Sequence, residues 1–109
     1  MKKLFTFTVL LFSSMSLFSQ IEVKYFNAGW NKANDIEWVN KLSDCELERF
    51  DIGTDPSLAA KYKVIVVPTI VIFQDGEEVE RYQADISFKI AAIKEEVQDY
   101  IDELIMSAF

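Results

Sequence analysis

The chain has 109 residues, half of them apolar, which is enough for one packed domain and no more. Its 18 acidic and 11 basic residues give a formal net charge of −7, a surface that repels nucleic acid and anionic lipid. With no histidine and a single cysteine, it can build neither a zinc site of the usual His/Cys type nor an intrachain disulfide.

Met1-Lys2-Lys3 leads into an almost wholly apolar run at residues 4–12, followed by Ser13-Ser14-Met15-Ser16-Leu17-Phe18-Ser19-Gln20. A basic start, a short apolar middle and a small-residue end form the pattern of a secretory signal peptide. The run falls short of the roughly 20 residues that a bilayer span needs. The expectation is a signal peptide over residues 1–19, a domain over residues 20–109, and an exported protein, periplasmic or extracellular, of bacterial type. Cleavage there removes Lys2 and Lys3, takes the charge from −7 to −9, and leaves nothing that binds a membrane.

Residues 21–26 read as a strand with Ile21, Val23 and Tyr25 on one face, broken by Asn27-Ala28-Gly29. Asn34 or Asp35 then caps a helix whose stripe is Ile36, Val39 and Leu42, with Trp38 beside it and Asp44 at its end. Residues 45–52 read as a second strand. Its Glu46, Glu48 and Asp51 suit a sheet edge, where charge discourages unwanted pairing. Asp55-Pro56-Ser57 starts a short helix with proline in the first turn, running to about Tyr62.

Residues 69–73 are apolar on both faces, as a central strand covered on each side requires. Asp75-Gly76 is a hairpin turn, and residues 77–82 return antiparallel with Val79 inward. Asp85 or Ser87 is expected to cap a final helix carrying Ile90, Ile93, Val97, Ile101, Leu104 and Ile105 on one stripe. The order β-α-β-α-β-β-α predicts an α/β protein, a three-layer α/β/α sandwich around a four-stranded mixed sheet.

The landmarks Tyr25-Phe26-Asn27-Ala28-Gly29-Trp30, Asp55-Pro56 with Ala59-Ala60-Lys61-Tyr62-Lys63-Val64, and Val67-Pro68-Thr69 with Asp75-Gly76 occur in order over nearly all of residues 21–104. This set resembles the thioredoxin family. The resemblance implies the minimal form of that fold, without the extra N-terminal strand and helix of larger members. It also implies a cis bond before Pro68.

Where the family carries Trp-Cys-x-x-Cys, this chain reads Trp30-Asn31-Lys32-Ala33-Asn34. The resemblance puts the nucleophilic thiol at Asn31, the resolving thiol at Asn34 and the assisting buried acid at Tyr25. A carboxamide forms neither a thiolate nor a disulfide. All three working groups are replaced, so dithiol exchange is not expected, and no catalytic residue or cofactor is assigned.

The family's other site element implies a groove lined by Trp30, Asn31, Asn34, Val67, Pro68 and Thr69, where an extended polypeptide partner pairs with the backbone at Val67. The competing reading is that Pro68 serves the hairpin geometry and Trp30 only packs. Cys45 opens the second strand, a region that the family places at the opposite edge from its motif. It reads as a small buried filler, with Asp44 and Glu46 disfavouring its thiolate. Glu77, Glu78 and Glu80 read as a solvated face, and no metal site is expected.

The function this supports is an exported, redox-inactive thioredoxin-like domain that binds a polypeptide, and so not an enzyme. The alternatives are a single-cysteine thiol/disulfide oxidoreductase that uses Cys45 as a reactive thiol, and a structural oligomerising module that uses the free sheet edge.

Overall fold

A computed structural model of the protein describes residues 20–109. The expected signal peptide, residues 1–19, lies outside the described residues. β1 (Ile21–Asn27) is the first strand of the sheet, and its alternation decides which residues cover each face. β2 (Glu46–Asp51) pairs with it in parallel, with Glu22 opposite Glu46 and Asn27 opposite Asp51. β3 (Thr69–Gln74) pairs with the other side of β1, antiparallel, and β4 (Glu77–Gln83) pairs antiparallel with β3. The strand order β2-β1-β3-β4 leaves β2 at an edge, as its charges suggest.

Each face of the sheet carries its own core. Ile21, Val23, Tyr25, Ile70 and Ile72 pack with Val39 and with Val97 and Ile101 of α2 (Lys94–Ser107). Phe26 and Val71 pack on the opposite face with Val64, Val67 and Tyr62, the last residue of α1 (Ser57–Tyr62). The architecture is therefore the expected three-layer sandwich. On the α1 face the Lys24 ammonium stands 5.6–5.8 Å from the ring centres of Phe50, Tyr62 and Phe73 and pairs with Glu48. Lys24 is thus accommodated by aromatic faces and one carboxylate instead of breaking the layer.

Three local expectations are corrected. The crossover between β1 and β2 is not an α-helix but two 3-10 segments, Gly29–Asn34 and Glu37–Lys41. Asp35 and Ile36 between them are extended, at φ −63°, ψ 145° and φ −106°, ψ 101°. The spacing of Ile36, Val39 and Leu42 is three residues, the period of a 3-10 helix. The Ile36 N–H donates to the Tyr25 hydroxyl at 2.9 Å, where a continuing helix would need a main-chain acceptor.

The final helix begins at Lys94, well after Asp85 and Ser87. Asp85 caps a turn instead. Its Oδ1 accepts from the main-chain N–H of Ser87 (2.8 Å) and Lys89 (3.3 Å), and Phe88 takes a positive φ of 65°. Ile90 still packs against the core, but Ile93 stays largely exposed.

Val79 is also exposed. A bulge opposite Ile72 and Phe73 pairs these with Glu80 and Glu78, so Val79 faces no partner. At the hairpin tip Asp75 and Gly76 both have positive φ, 52° and 88°. That is the turn whose twist suits two strands joined by two residues.

Candidate functional site

The first 3-10 segment springs from the carboxyl end of β1. The Asn31 N–H donates to the Ala28 carbonyl at 2.8 Å, closing a tight turn that leaves Trp30 on the outside and folds Asn31 inward. Trp30 is 67% exposed and Asn31 only 4%. The Asn31 amide donates from Nδ2 to the Val67 carbonyl at 3.4 Å, and Asn34 Nδ2 donates to Asn31 Oδ1 at 2.9 Å. The Val67–Pro68 peptide is cis. Asn31 therefore reaches Val67, thirty-six positions on in the chain, with Asn34 attached to it through Asn31 Oδ1 and Trp30 next to it in sequence.

Val67, Pro68 and Thr69 are themselves buried, with Thr69 Oγ1 donating to the Val66 carbonyl at 2.7 Å. The open surface belongs to their neighbours. The Ala84 N–H donates to the Pro68 carbonyl at 3.1 Å and so brings the turn after β4 to the site. From that turn Phe88 meets the Trp30 ring edge-on, with centroids 5.4 Å apart and planes at 82°. Ile86 in the same turn and Ile65 ahead of Pro68 are 99% and 81% exposed. Exposed apolar side chains of this size on a strongly acidic chain are the feature to explain.

Beneath the segment lies a carboxylate that sequence reasoning placed only as a helix cap. Asp35 Oδ1 accepts from the Tyr25 hydroxyl (2.7 Å) and from Asn27 Nδ2 (3.3 Å), and both its oxygens accept from Arg49 (2.7 and 2.8 Å). The Arg49 guanidinium also lies 4.6 Å from the centre of the Tyr25 ring. These side chains, with Lys32, Phe50 and Asp51, line a cavity of about 290 Å3 at the carboxyl ends of β1 and β2.

Burial pushes the Asp35 carboxyl up, but hydrogen bonds from Tyr25 and Asn27 and the charge of Arg49 outweigh it and hold the group below its usual range. Burial, followed by the Asp35 hydrogen bond, drives the Tyr25 phenol well above its ordinary value. Around neutral pH one group stays charged and the other stays protonated, so this pair stores no exchangeable proton there.

Cys45 sits elsewhere. It directly precedes Glu46 at the start of β2, and the five strand steps of about 3.3 Å from Glu46 to Asp51 already amount to some 17 Å, so Cys45 lies at the other end of the strand from Asp51 and Asn27. Burial and then Asp44 push its thiol up. Among the described residues no group of three or more His, Cys, Asp or Glu could hold a metal ion, and no helix is long and apolar enough to cross a membrane.

No protein-family model matches the chain. A thioredoxin of Staphylococcus epidermidis is 42% identical over 36 residues, which is 33% of this chain and 35% of the relative. A thioredoxin of Staphylococcus aureus is 39% identical over the same length. The match thus spans about a third of these curated relatives.

Solved structures extend the likeness to the whole fold. A mutant thioredoxin from Halobacterium salinarum superposes with a TM-score of 0.63 at 24% identity, over 79% of this chain and 75% of its own. Thioredoxin 1 from Thermosipho africanus gives 0.60 at 22% identity, over 80% and 97%. The fold is thioredoxin-like. Within that fold, this thioredoxin-like chain holds carboxamides at Asn31 and Asn34 and has one cysteine, so it lacks a Cys-x-x-Cys pair.

Two residues of this candidate site were missed in the sequence. Phe88 was hidden inside an expected helix. Asp35 was visible only as a cap, although Arg49 on the neighbouring strand was a signal that a carboxylate should meet it.

Proposed function

We propose that this protein is an exported, redox-inactive thioredoxin-like domain that binds an extended polypeptide at the surface around Trp30. The observation that carries the reading is the exposed Trp30 ring, held edge-on by Phe88 above a buried Asn31. A large aromatic that stays open while the adjoining Asn31 is buried supports recognition more than packing, since rigid aromatics are the usual anchors of binding surfaces. The replacement of both sulfur positions by asparagine supports binding without thiol exchange. Export rests on the basic, apolar and small-residue order of residues 1–20.

The test is a titration followed by fluorescence anisotropy. The probe is fluorescein-labelled, reduced and carboxymethylated lysozyme, an unfolded polypeptide without free thiols. Wild-type protein is expected to bind it, and Trp30→Ala to bind about tenfold more weakly, as loss of an aromatic anchor does. Equal binding by both proteins, or none by the wild type, would contradict the reading.

A further inference from the structure

Three asparagine side chains run head to tail through the site. Asn34 Nδ2 donates to Asn31 Oδ1 (2.9 Å), Asn31 Nδ2 donates to Asn27 Oδ1 (3.1 Å), and Asn27 Nδ2 donates to Asp35 Oδ1 (3.3 Å). Every bond points the same way, inward to the carboxylate. That direction is imposed. An ionised carboxylate and a main-chain carbonyl can only accept. Asn27 Nδ2 faces two such groups, Asp35 Oδ1 and the Asn31 carbonyl (3.4 Å), so Asn27 Oδ1 must turn to Asn31. Asn31 Nδ2 also faces the Val67 carbonyl, so Asn31 Oδ1 must turn to Asn34. The Asn34 nitrogen is drawn inward in its turn. Asn27 and Asn31 are buried and Asn34 is half-buried, so Asn34 is the outer end of the chain, and no donor among the described residues reaches its Oδ1.

We propose that Asn34 is a specificity-determining residue whose Oδ1 is held outward as a fixed hydrogen-bond acceptor, so that a bound polypeptide supplies an N–H donor there, with Asp35 as the positioning residue that sets the direction. This rests on the reading of the Trp30 surface as a polypeptide site. It adds a polar requirement to the aromatic contact offered by Trp30 and Phe88. An acceptor already oriented by its neighbours loses little freedom on binding. A partner without a donor at that point would desolvate the oxygen and leave it unpaired.

The experiment uses the same labelled lysozyme probe with Asn34→Asp, which keeps an acceptor, and Asn34→Leu, which keeps the shape without one. Asn34→Asp is expected to bind within about threefold of wild type and Asn34→Leu about tenfold more weakly. In parallel, the side-chain amide resonances of Asp35→Asn are recorded by NMR. With the charged one of the two acceptors facing Asn27 Nδ2 removed, the Asn31 and Asn34 signals should move together with that of Asn27; a local structural role would move Asn27 alone. Wild-type affinity in Asn34→Leu, with binding lost in Trp30→Ala, would overturn the acceptor and leave the groove standing. Shifts confined to Asn27 would overturn the role of Asp35. No loss in Trp30→Ala would remove the groove, and this inference with it.

Discussion

The Tyr25 hydroxyl donates to Asp35 at 2.7 Å and at the same time accepts from the Ile36 N–H at 2.9 Å. One buried phenol thus ties β1 to the break between the two 3-10 segments. Tyr25→Phe would leave the Ile36 N–H without this acceptor and the Asp35 carboxylate without this donor. The expected cost is about 1–3 kcal/mol, read as a lower urea midpoint with an unchanged slope.

The same carboxylate gives the fold a pH dependence of known sign. The folded-state value of Asp35 lies below its unfolded value, so its contribution is complete above the ordinary carboxylate range and is lost as pH falls through the folded value. The urea midpoint of the wild type should hold between pH 7 and about pH 5 and then fall. In Asp35→Asn the neutral-pH midpoint should be lower and the acid-side fall shallower. Parallel curves for the two proteins would contradict this.

Asn31 and Asn34 stand three residues apart with their side chains in hydrogen-bonding contact. Three residues of a 3-10 turn, at about 2.0 Å rise each, cover about 6 Å, a separation that a disulfide can span. In a Cys45→Ser background, Asn31→Cys with Asn34→Cys should oxidise to a monomer whose mass shows the loss of two hydrogens. A pair that stays reduced under the same mild oxidant would show that the turn is not the one described.

Cys45 is half-buried, with its thiol pushed up first by burial and then by Asp44. Iodoacetamide at neutral pH should modify the native protein at least about tenfold more slowly than the urea-unfolded chain. Rapid native labelling would instead favour the single-cysteine reading.

How much of this was legible in the sequence follows from how local each signal is. β1, β3, α1 and the Asp75-Gly76 turn are written in neighbouring residues, and each forms where the pattern put it. Ile36, Val39 and Leu42 fit a period of three or of 3.6 equally well over so short a run. The choice was made by Tyr25 and Arg49, which contact Ile36 and Asp35 from other strands. Ile90 and Ile93 continued the α2 stripe in sequence, yet the Asp85 side chain holds a turn just ahead of them and the helix starts later. The Asn31 side chain reaches the Val67 carbonyl, next to the cis peptide that the resemblance implied. The role of Asp35 was hidden because its partners span both strands of the parallel pair.

The central claim is that this scaffold keeps a thioredoxin-like site without its thiol chemistry. The most direct measurement is insulin reduction by dithiothreitol, followed by turbidity with and without the protein. The account expects the rate with protein to equal that of the reagent alone, because Asn31 and Asn34 carry no sulfur and Cys45 lies far from them. Acceleration that disappears in Cys45→Ser would contradict it.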